Sequence, residues 1–167
     1  VFGLLRDSDR DADIYAALGD PEDALWSVEE RKHVAELAMF NVRQPFALLL
    51  AARRALPDAE FTRVLRACTI VSFRYNVIGN LATNEQERVY NAVAEKIARR
   101  ELTGASEIIR ALQPVYPSDE QFRAAFGEKQ IRTTNQRKRQ VVRYVLFEIE
   151  RKDSGRELHH RIDRYNI

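Results

Sequence analysis

The sequence has almost none of the residues that form covalent cross-links. Cys68 is the single cysteine among 167 residues, so no internal disulfide is possible. Chains without disulfides are typical of reducing compartments, and we therefore predict a cytoplasmic protein. Because Cys68 stands in a strongly apolar stretch, we expect a buried, unreactive thiol rather than a nucleophile.

The chain also lacks a long apolar run. No stretch approaches the roughly 18 residues that a membrane-spanning helix needs, and the first residues show no signal-peptide pattern. We therefore predict no association with a membrane. Hydrophobic residues make up 45% of the chain and charged residues 31%, which is the balance of a globular domain with a core of its own.

The motifs of common enzymes are missing as well. The sequence has no P-loop, no glycine fingerprint for dinucleotides, no His-Glu-x-x-His and no cysteine pair at zinc spacing. His33 stands among charged residues, where we expect a surface position. His159 and His160 form a weak metal pattern with Asp163, since adjacent histidines point in different directions. We predict no catalytic residue, no metal site and no cofactor in this chain.

Glycine and proline are few, and they separate apolar segments of helical length. No Gly or Pro falls between Pro57 and Gly79, which predicts one helix of about twenty residues. Its apolar residues occur on nearly every side, and a helix of that kind is normally packed by neighbours on several faces. We expect it to be the central helix, with Asp58 as its cap.

The remaining apolar segments predict a fold that is all-α. We expect a bundle of about seven to eight helices around the central helix at about 58–79, with a short strand near the C-terminal end at 164–167. The other predicted helices span residues 7–18, 21–42, 46–56, 83–100, 107–112, 118–127 and 135–152. Trp26 is expected to anchor the second helix, and Val142, Val145, Leu146 and Ile149 are expected to form the buried stripe of the last one.

Charge is distributed unevenly along the chain. Residues 1–36 carry 4 basic and 10 acidic side chains, a balance of −6. Residues 129–167 carry 11 basic and 5 acidic side chains, a balance of +6. This asymmetry is compatible with steering of an anionic partner, with pairing of the two ends, and with ordinary solvated surface charge.

Clustered basic residues are the best candidates for a binding surface. One cluster lies near the start of the last helix, where backbone N–H groups also attract phosphate. A stripe of arginines lies on the central helix, although arginines on a long helix also form ordinary surface salt bridges. Arg74 has apolar sequence neighbours, so an internal position with an acidic partner from another helix is an alternative for it. The candidate contacts to a DNA backbone are Arg137, Lys138, Arg139, Arg143, Arg63 and Arg66.

Three stretches carry a family resemblance. They are Gly19-Asp20-Pro21 running to Leu25-Trp26; Phe73-Arg74-Tyr75-Asn76-Val77-Ile78 with Thr83-Asn84-Glu85-Gln86-Glu87 and Tyr90; and Arg143-Tyr144-Val145-Leu146 with Tyr165-Asn166-Ile167. Together they resemble the helical middle region of GmrSD-type restriction endonucleases, which join a ParB-like nucleotide-binding domain to an HNH-type nuclease. The resemblance covers most of the chain. It implies structural roles for Arg74, Tyr75, Asn84 and Glu87.

The resemblance also implies a larger parent protein. The Asp-Gly-Gln-Gln-Arg type motif of the family's nucleotide domain is absent, and the Glu-His-x-x-Pro that opens its nuclease motif would follow Ile167. His159 and His160 lie upstream of that place and are not its catalytic residues. We expect a helical domain at 1–156 and the start of a nuclease-like domain at 157–167. The implied parent is a nucleotide-dependent endonuclease of antiviral defence that cuts modified DNA.

Two functional hypotheses follow. In the first, the chain is a connector and regulatory domain that couples the flanking nucleotide-binding and nuclease domains of the parent and contacts the DNA backbone, without catalysis of its own. In the second, it is a protein-interaction or dimerisation scaffold with no nucleic-acid role. Head-to-tail pairing of the acidic first 36 residues with the basic last 39 would then form a homo-oligomer.

Overall fold

A computed structural model describes the backbone of residues 2–154 and the side chains of residues 9–151. Within this part the chain is helical, with no strand, which confirms the all-α prediction. The predicted strand and the predicted domain boundary at 156/157 lie outside the described residues. The helices are α1 (Phe2–Ala17), α2 (Val28–Phe40), α3 (Phe46–Ala55), α4 (Asp58–Ser72), a π-helix (Phe73–Ile78), α5 (Thr83–Ala98), α6 (Ala105–Ala111), a 3-10 helix (Gln113–Val115), α7 (Asp119–Glu128) and α8 (Gln136–Ser154).

The α4 helix is central, as its apolar pattern predicts. It packs against α2, α3 and α6, while α3 also packs against α5. Phe61, Val64, Leu65 and Cys68 are fully buried along it. Burial raises the pKa of the Cys68 thiol far above its ordinary value, so the thiol stays protonated and inert.

The last turns of the predicted central helix form a π-helix. Just before it, the hydroxyls of Thr69 and Ser72 donate hydrogen bonds to the carbonyl oxygens of Leu65 and Cys68, at 3.0 and 2.7 Å. Such bonds compete for the carbonyls that normally hold the next helical turn, and they often bend helices. The segment ends where the Gly79 N–H donates to a carbonyl five residues back, at 2.9 Å.

Gly79 closes the π-helix because a side chain would not fit there. Its φ is −71°, an ordinary right-handed value, but a Cβ would lie 3.0 Å from the carbonyl oxygens of Arg74 and Tyr75. The left-handed residue that turns the chain is the next one, Asn80, with φ of 49°. Close approach of these carbonyl oxygens therefore favours glycine at this position.

We predict that Gly79→Ala lowers the free energy of unfolding by about 2 kcal/mol, because backbone atoms must move to admit the methyl group. Urea denaturation measures the change. Gly127→Ala is the matched control, since a Cβ at Gly127 meets no atom within 4 Å. There the helix propensity of alanine should leave stability unchanged or raise it by up to about 1 kcal/mol. Equal effects of the two substitutions would contradict the steric account.

The second helix is shorter than the predicted 21–42. The side chains of Asp20 and Asp23 each accept a hydrogen bond from the backbone N–H two residues on, at 2.9 and 2.8 Å, and these bonds close local turns. The α2 helix instead begins after Ser27, whose hydroxyl accepts from the Glu30 N–H while the Glu30 carboxylate accepts from the Ser27 N–H. This reciprocal cap starts the helix seven residues later than the apolar pattern indicates.

Trp26 is an anchor, but of the turn region before α2 rather than of the second helix as predicted. Its indole N–H donates to the carbonyl oxygens of Ala17 and Asp20, at 3.0 and 3.1 Å. Its ring stacks on Phe61 of α4 with centroids 6.2 Å apart. One buried side chain thus joins the end of α1, the following turn and the central helix.

By its internal contacts the chain divides into two units, Val1–Gly127 and Glu128–Ile167. The hydrophobic core belongs to the first unit. In the second unit the predicted buried stripe of α8 is wrong, since Leu146 and Ile149 are 38% and 44% exposed and Val142 and Val145 are only half-buried. The buried apolar residues of this helix are Val141 and Phe147. No helix within residues 2–154 combines the length and apolar character needed to cross a bilayer.

Candidate functional site

Directly after its first residue, Glu128, the second unit has a stretch of uniform charge sign. Residues 129–147, called the basic segment below, contain six basic side chains and no acidic one, and Glu148 is the first carboxylate after them. The first turns of α8 lie within this segment. It contains all four residues of the predicted C-terminal cluster.

The cap of α8 fixes where these four residues lie. The Asn135 side chain accepts a hydrogen bond from the Lys138 N–H at 2.9 Å, the geometry of an N-cap. Arg137 and Lys138 therefore occupy the first turn, and both are exposed. Arg139 and Arg143 lie one turn apart on another side of the helix and are half-buried. The four side chains thus divide between two sides of α8.

The positive charge of the side chains at the start of α8 is unfavourable with respect to the helix dipole. A helix N-terminus carries partial positive charge, and cations there cost about 0.3–1 kcal/mol each. In the part of the chain that the structure describes, no carboxylate pairs with any of the four. A bound anion would relieve both the dipole and the mutual repulsion of the cations. The arrangement is therefore chemically suited to phosphate.

The candidates Arg63 and Arg66 lie on α4, in the first unit. Arg63 donates to Glu60 at 2.8 Å and to the Ser106 hydroxyl at 3.0 Å, so it links α4 to α6. The Ala105 N–H, and then Arg63, hold the pKa of the Glu60 carboxyl below its ordinary value. Arg66 is exposed and has no hydrogen bond or ion pair with any described residue.

Arg74 is internal, and its acidic partner comes from another helix. It donates to the Pro117 carbonyl oxygen at 2.8 Å and to Asp119 of α7 at 2.7 Å. Its guanidinium carbon lies 4.5 Å from the ring centroids of both Tyr116 and Phe122. The side chain is 12% exposed. Arg74 thus holds the start of α7 to the π-helix, and its position leaves little of it for a DNA contact.

The other residues implied by the family resemblance separate into buried and exposed sets. Tyr75 is buried, and its hydroxyl donates to the Ala82 carbonyl oxygen at 2.8 Å. Asn84 and Glu87 are exposed on the outer side of α5. Gln86, between Asn84 and Glu87 in the sequence, is fully buried. It exchanges two amide hydrogen bonds with Asn76 of the π-helix, at 2.9 and 3.0 Å.

His33 does not have the predicted surface position. It is 8% exposed, and its Nδ1 lies 2.9 Å from a carboxylate oxygen of Glu36, three residues on. At this spacing two polar side chains lie on one face of a helix and satisfy each other. The charged sequence neighbourhood of His33 therefore reflects mutual pairing rather than exposure.

A polar cluster around Glu30 is the largest feature that the sequence prediction missed. Besides its capping bond, Glu30 accepts hydrogen bonds from Arg53 at 3.2 Å and Thr62 at 3.3 Å. Arg53 also lies over the Phe61 ring, 4.9 Å from its centroid. The Ser-x-x-Glu spacing of Ser27 and Glu30 is a sequence signal that could have located the cap, but not its long-range partners.

Comparisons with known protein families, with characterised proteins and with solved structures find no match for the chain. Among the described residues no group of three or more His, Cys, Asp or Glu side chains is arranged to hold a metal ion. His159, His160 and Asp163 lie outside the described residues, as do Tyr165, Asn166 and Ile167.

Proposed function

We propose that this chain is a helical connector domain that binds the DNA backbone through its basic segment and has no catalysis of its own. The observation that carries the proposal is the run of six basic side chains without a carboxylate in residues 129–147. Following the family resemblance, the domain works in the cytoplasm within a modification-dependent restriction nuclease. It couples the nucleotide-binding and HNH-type nuclease domains of that antiviral parent.

Recognition of a phosphate backbone requires only cations held at accessible positions. Arg137 and Lys138 satisfy this requirement because they are exposed in the first turn of α8. Each phosphate that they neutralise releases a condensed counterion, and this release supplies sequence-independent affinity. Contacts of this kind position a protein on DNA and leave base recognition to other parts of the parent.

The first unit supports a connecting role through Arg74. In the chain, α7 leads directly into the basic segment, yet none of its residues is fully buried. Its start is held by the ion pair between Arg74 and Asp119 and by the ring of Phe122. We propose that this attachment holds the last helix of the first unit, which the basic segment follows in the sequence.

Fluorescence anisotropy with a labelled DNA duplex tests the binding proposal. Replacement of the four cluster residues Arg137, Lys138, Arg139 and Arg143 by Ala is expected to weaken binding at least about tenfold at low salt. The matched control removes four exposed cations that lie on α5, at its C-cap or on α6, in the variant Arg88→Ala, Lys96→Ala, Arg99→Ala, Arg110→Ala. It lowers the net charge equally and should change affinity by no more than about threefold. Equal losses in the two variants would contradict a localised site.

Because Arg139 and Arg143 are half-buried, the four-residue variant is paired with a milder one. Arg137→Ala with Lys138→Ala removes only exposed side chains, so folding should be unaffected. This pair should account for about half of the lost salt dependence. Unchanged affinity in both variants would refute the proposal. It would favour the alternative of a scaffold, for which sedimentation should show self-association that weakens as salt screens the charges.

The assignment to a nuclease parent has a separate test. If it is right, the coding sequence after Ile167 continues into Glu-His-x-x-Pro, and a ParB-like domain is encoded before Val1. A stop codon directly after Ile167 would contradict it, while leaving the DNA-binding proposal to be judged by the anisotropy experiment alone.

A further inference from the structure

An apolar groove of about 280 Å³ lies on the first unit between α4, α6 and the 3-10 helix. Its walls include Ala67, Ile70, Ile109, Leu112 and Tyr116. Ile70 and Ile109 remain 42% and 36% exposed although they come from two packed helices. Single exposed apolar residues are common on protein surfaces, whereas here exposed residues of two helices lie together in one concave surface.

Exposed arginines lie near residues of this groove on both helices, outside the lining itself. Arg66 lies one turn before Ile70 on α4, and Arg63 lies a further turn back. Arg63 spans the two helices through its hydrogen bond to Ser106. Arg110 lies beside Ile109 on α6 and, like Arg66, is exposed. Three arginines are therefore neighbours of groove residues along α4 and α6.

The carboxylates of the same region are already engaged. Glu60 accepts hydrogen bonds from the Ala105 N–H at 2.7 Å and from Arg63. Glu107 accepts from the Thr103 N–H at 2.9 Å, and this bond holds its pKa below the ordinary value. Both carboxylates thus cap the start of α6. They leave Arg66 as the cation with no described partner at the groove.

We propose that this groove binds the apolar face of an acidic amphipathic helix from a partner protein. A space of this size is at or below the lower end for small-molecule pockets, so it accepts one or two large side chains rather than a cofactor. Phosphates would pair with the arginines but would leave the aliphatic floor exposed. An acidic helix satisfies both features, since leucine-like side chains fill the groove and carboxylates meet Arg66 and Arg110.

The test uses a labelled synthetic helix of about 18 residues with leucines along one face and glutamates on the other. Fluorescence anisotropy should show saturable binding to the wild-type chain. Ile70→Ser with Ile109→Ser should weaken it at least about tenfold. The matched control, Val28→Ser with Leu81→Ser, removes two exposed apolar side chains, 91% and 45% exposed, that do not line the groove. It should leave the dissociation constant unchanged.

Charge is tested separately from apolar contact. A peptide with lysines in place of the glutamates should bind at least about tenfold more weakly, and Arg66→Glu should reduce the difference between the two peptides. Absence of saturable binding by the acidic peptide would overturn the proposal, as would equal binding of both peptides. Self-association abolished by the two serine substitutions would also overturn it, because the occupant would then be a second copy of this chain. DNA binding should be the same in the groove variant and the wild type.

Discussion

Arg74→Ala is expected to lower the free energy of unfolding by about 3 kcal/mol. The substitution removes a guanidinium stacked between the rings of Tyr116 and Phe122, and it removes the charged hydrogen bonds to Pro117 and Asp119. Arg74→Lys keeps the charge but loses the planar group, so about half of the destabilisation should remain. Urea denaturation measures both changes.

The control for this substitution lies on the same helical stretch. Arg66→Ala removes an exposed arginine without a described partner, and stability should change by less than about 0.5 kcal/mol. Hydrogen exchange adds a local readout, since α7 has no fully buried residue and depends on Arg74 for its attachment. Amides of α7 should lose protection in Arg74→Ala more than those of α3 and α5. Unchanged protection in α7 would contradict the attachment role that we give to Arg74.

Glu30→Ala should also destabilise the fold by about 3 kcal/mol, since it removes one partner of a buried ion pair. Glu30 is 2% exposed and connects the start of α2 to Arg53 of α3 and Thr62 of α4. Without it, the carboxylate that remains paired with Arg53 among the described residues is Asp58, whose side chain is 91% exposed. Glu30→Gln preserves the shape and some hydrogen bonds, so about half of the effect should remain.

Glu29→Ala provides the comparison for Glu30. Both are acidic residues in the first turn of α2, where the helix dipole favours carboxylates, but Glu29 is exposed. Its loss should cost about 0.5 kcal/mol, the usual size of a dipole interaction. Thermal denaturation of the two single variants in parallel would decide the matter. Similar costs would mean that the cluster with Arg53 and Thr62 contributes little to stability.

The features that the sequence predicted well are those with a local or strongly periodic cause. The central helix follows from its apolar residues and from the absence of breakers before Gly79. Trp26 was expected to be an anchor because large aromatic side chains are rarely left in solvent. Arg74 was a candidate for an internal ion pair because its neighbours are apolar.

The features that the sequence did not predict depend on competition or on distant partners. The apolar pattern indicated an earlier start for α2. In the structure the side chains of Asp20 and Asp23 accept hydrogen bonds from nearby backbone N–H groups, and these bonds close turns instead of a helix. The π-helix depends on hydroxyl bonds and on the close approach at Gly79, and neither has a periodic signature. His33 is buried and paired with Glu36, whereas the charge content of the surrounding sequence indicated a surface position.

The candidate binding surface was only partly predictable for the same reason. Charge sign is visible in the sequence, so the basic segment could be recognised directly. The side of α8 on which each cation lies can be assigned only once the cap at Asn135 is known. In the structure Arg137 and Lys138 are exposed, while Arg139 and Arg143 are half-buried. The apolar groove was not predicted, because it combines residues of α4 and α6 that are distant in sequence.

The most direct test of the DNA-binding proposal is the salt dependence of duplex binding by the unmodified chain. We predict that the logarithm of the association constant falls linearly with the logarithm of salt concentration, with a slope of about −3 to −4 for four phosphate contacts. Between about 50 and 200 mM salt this corresponds to a loss of affinity of about 100-fold. A slope near zero, or no binding at the lowest salt, would contradict the proposed contact between the basic segment and DNA.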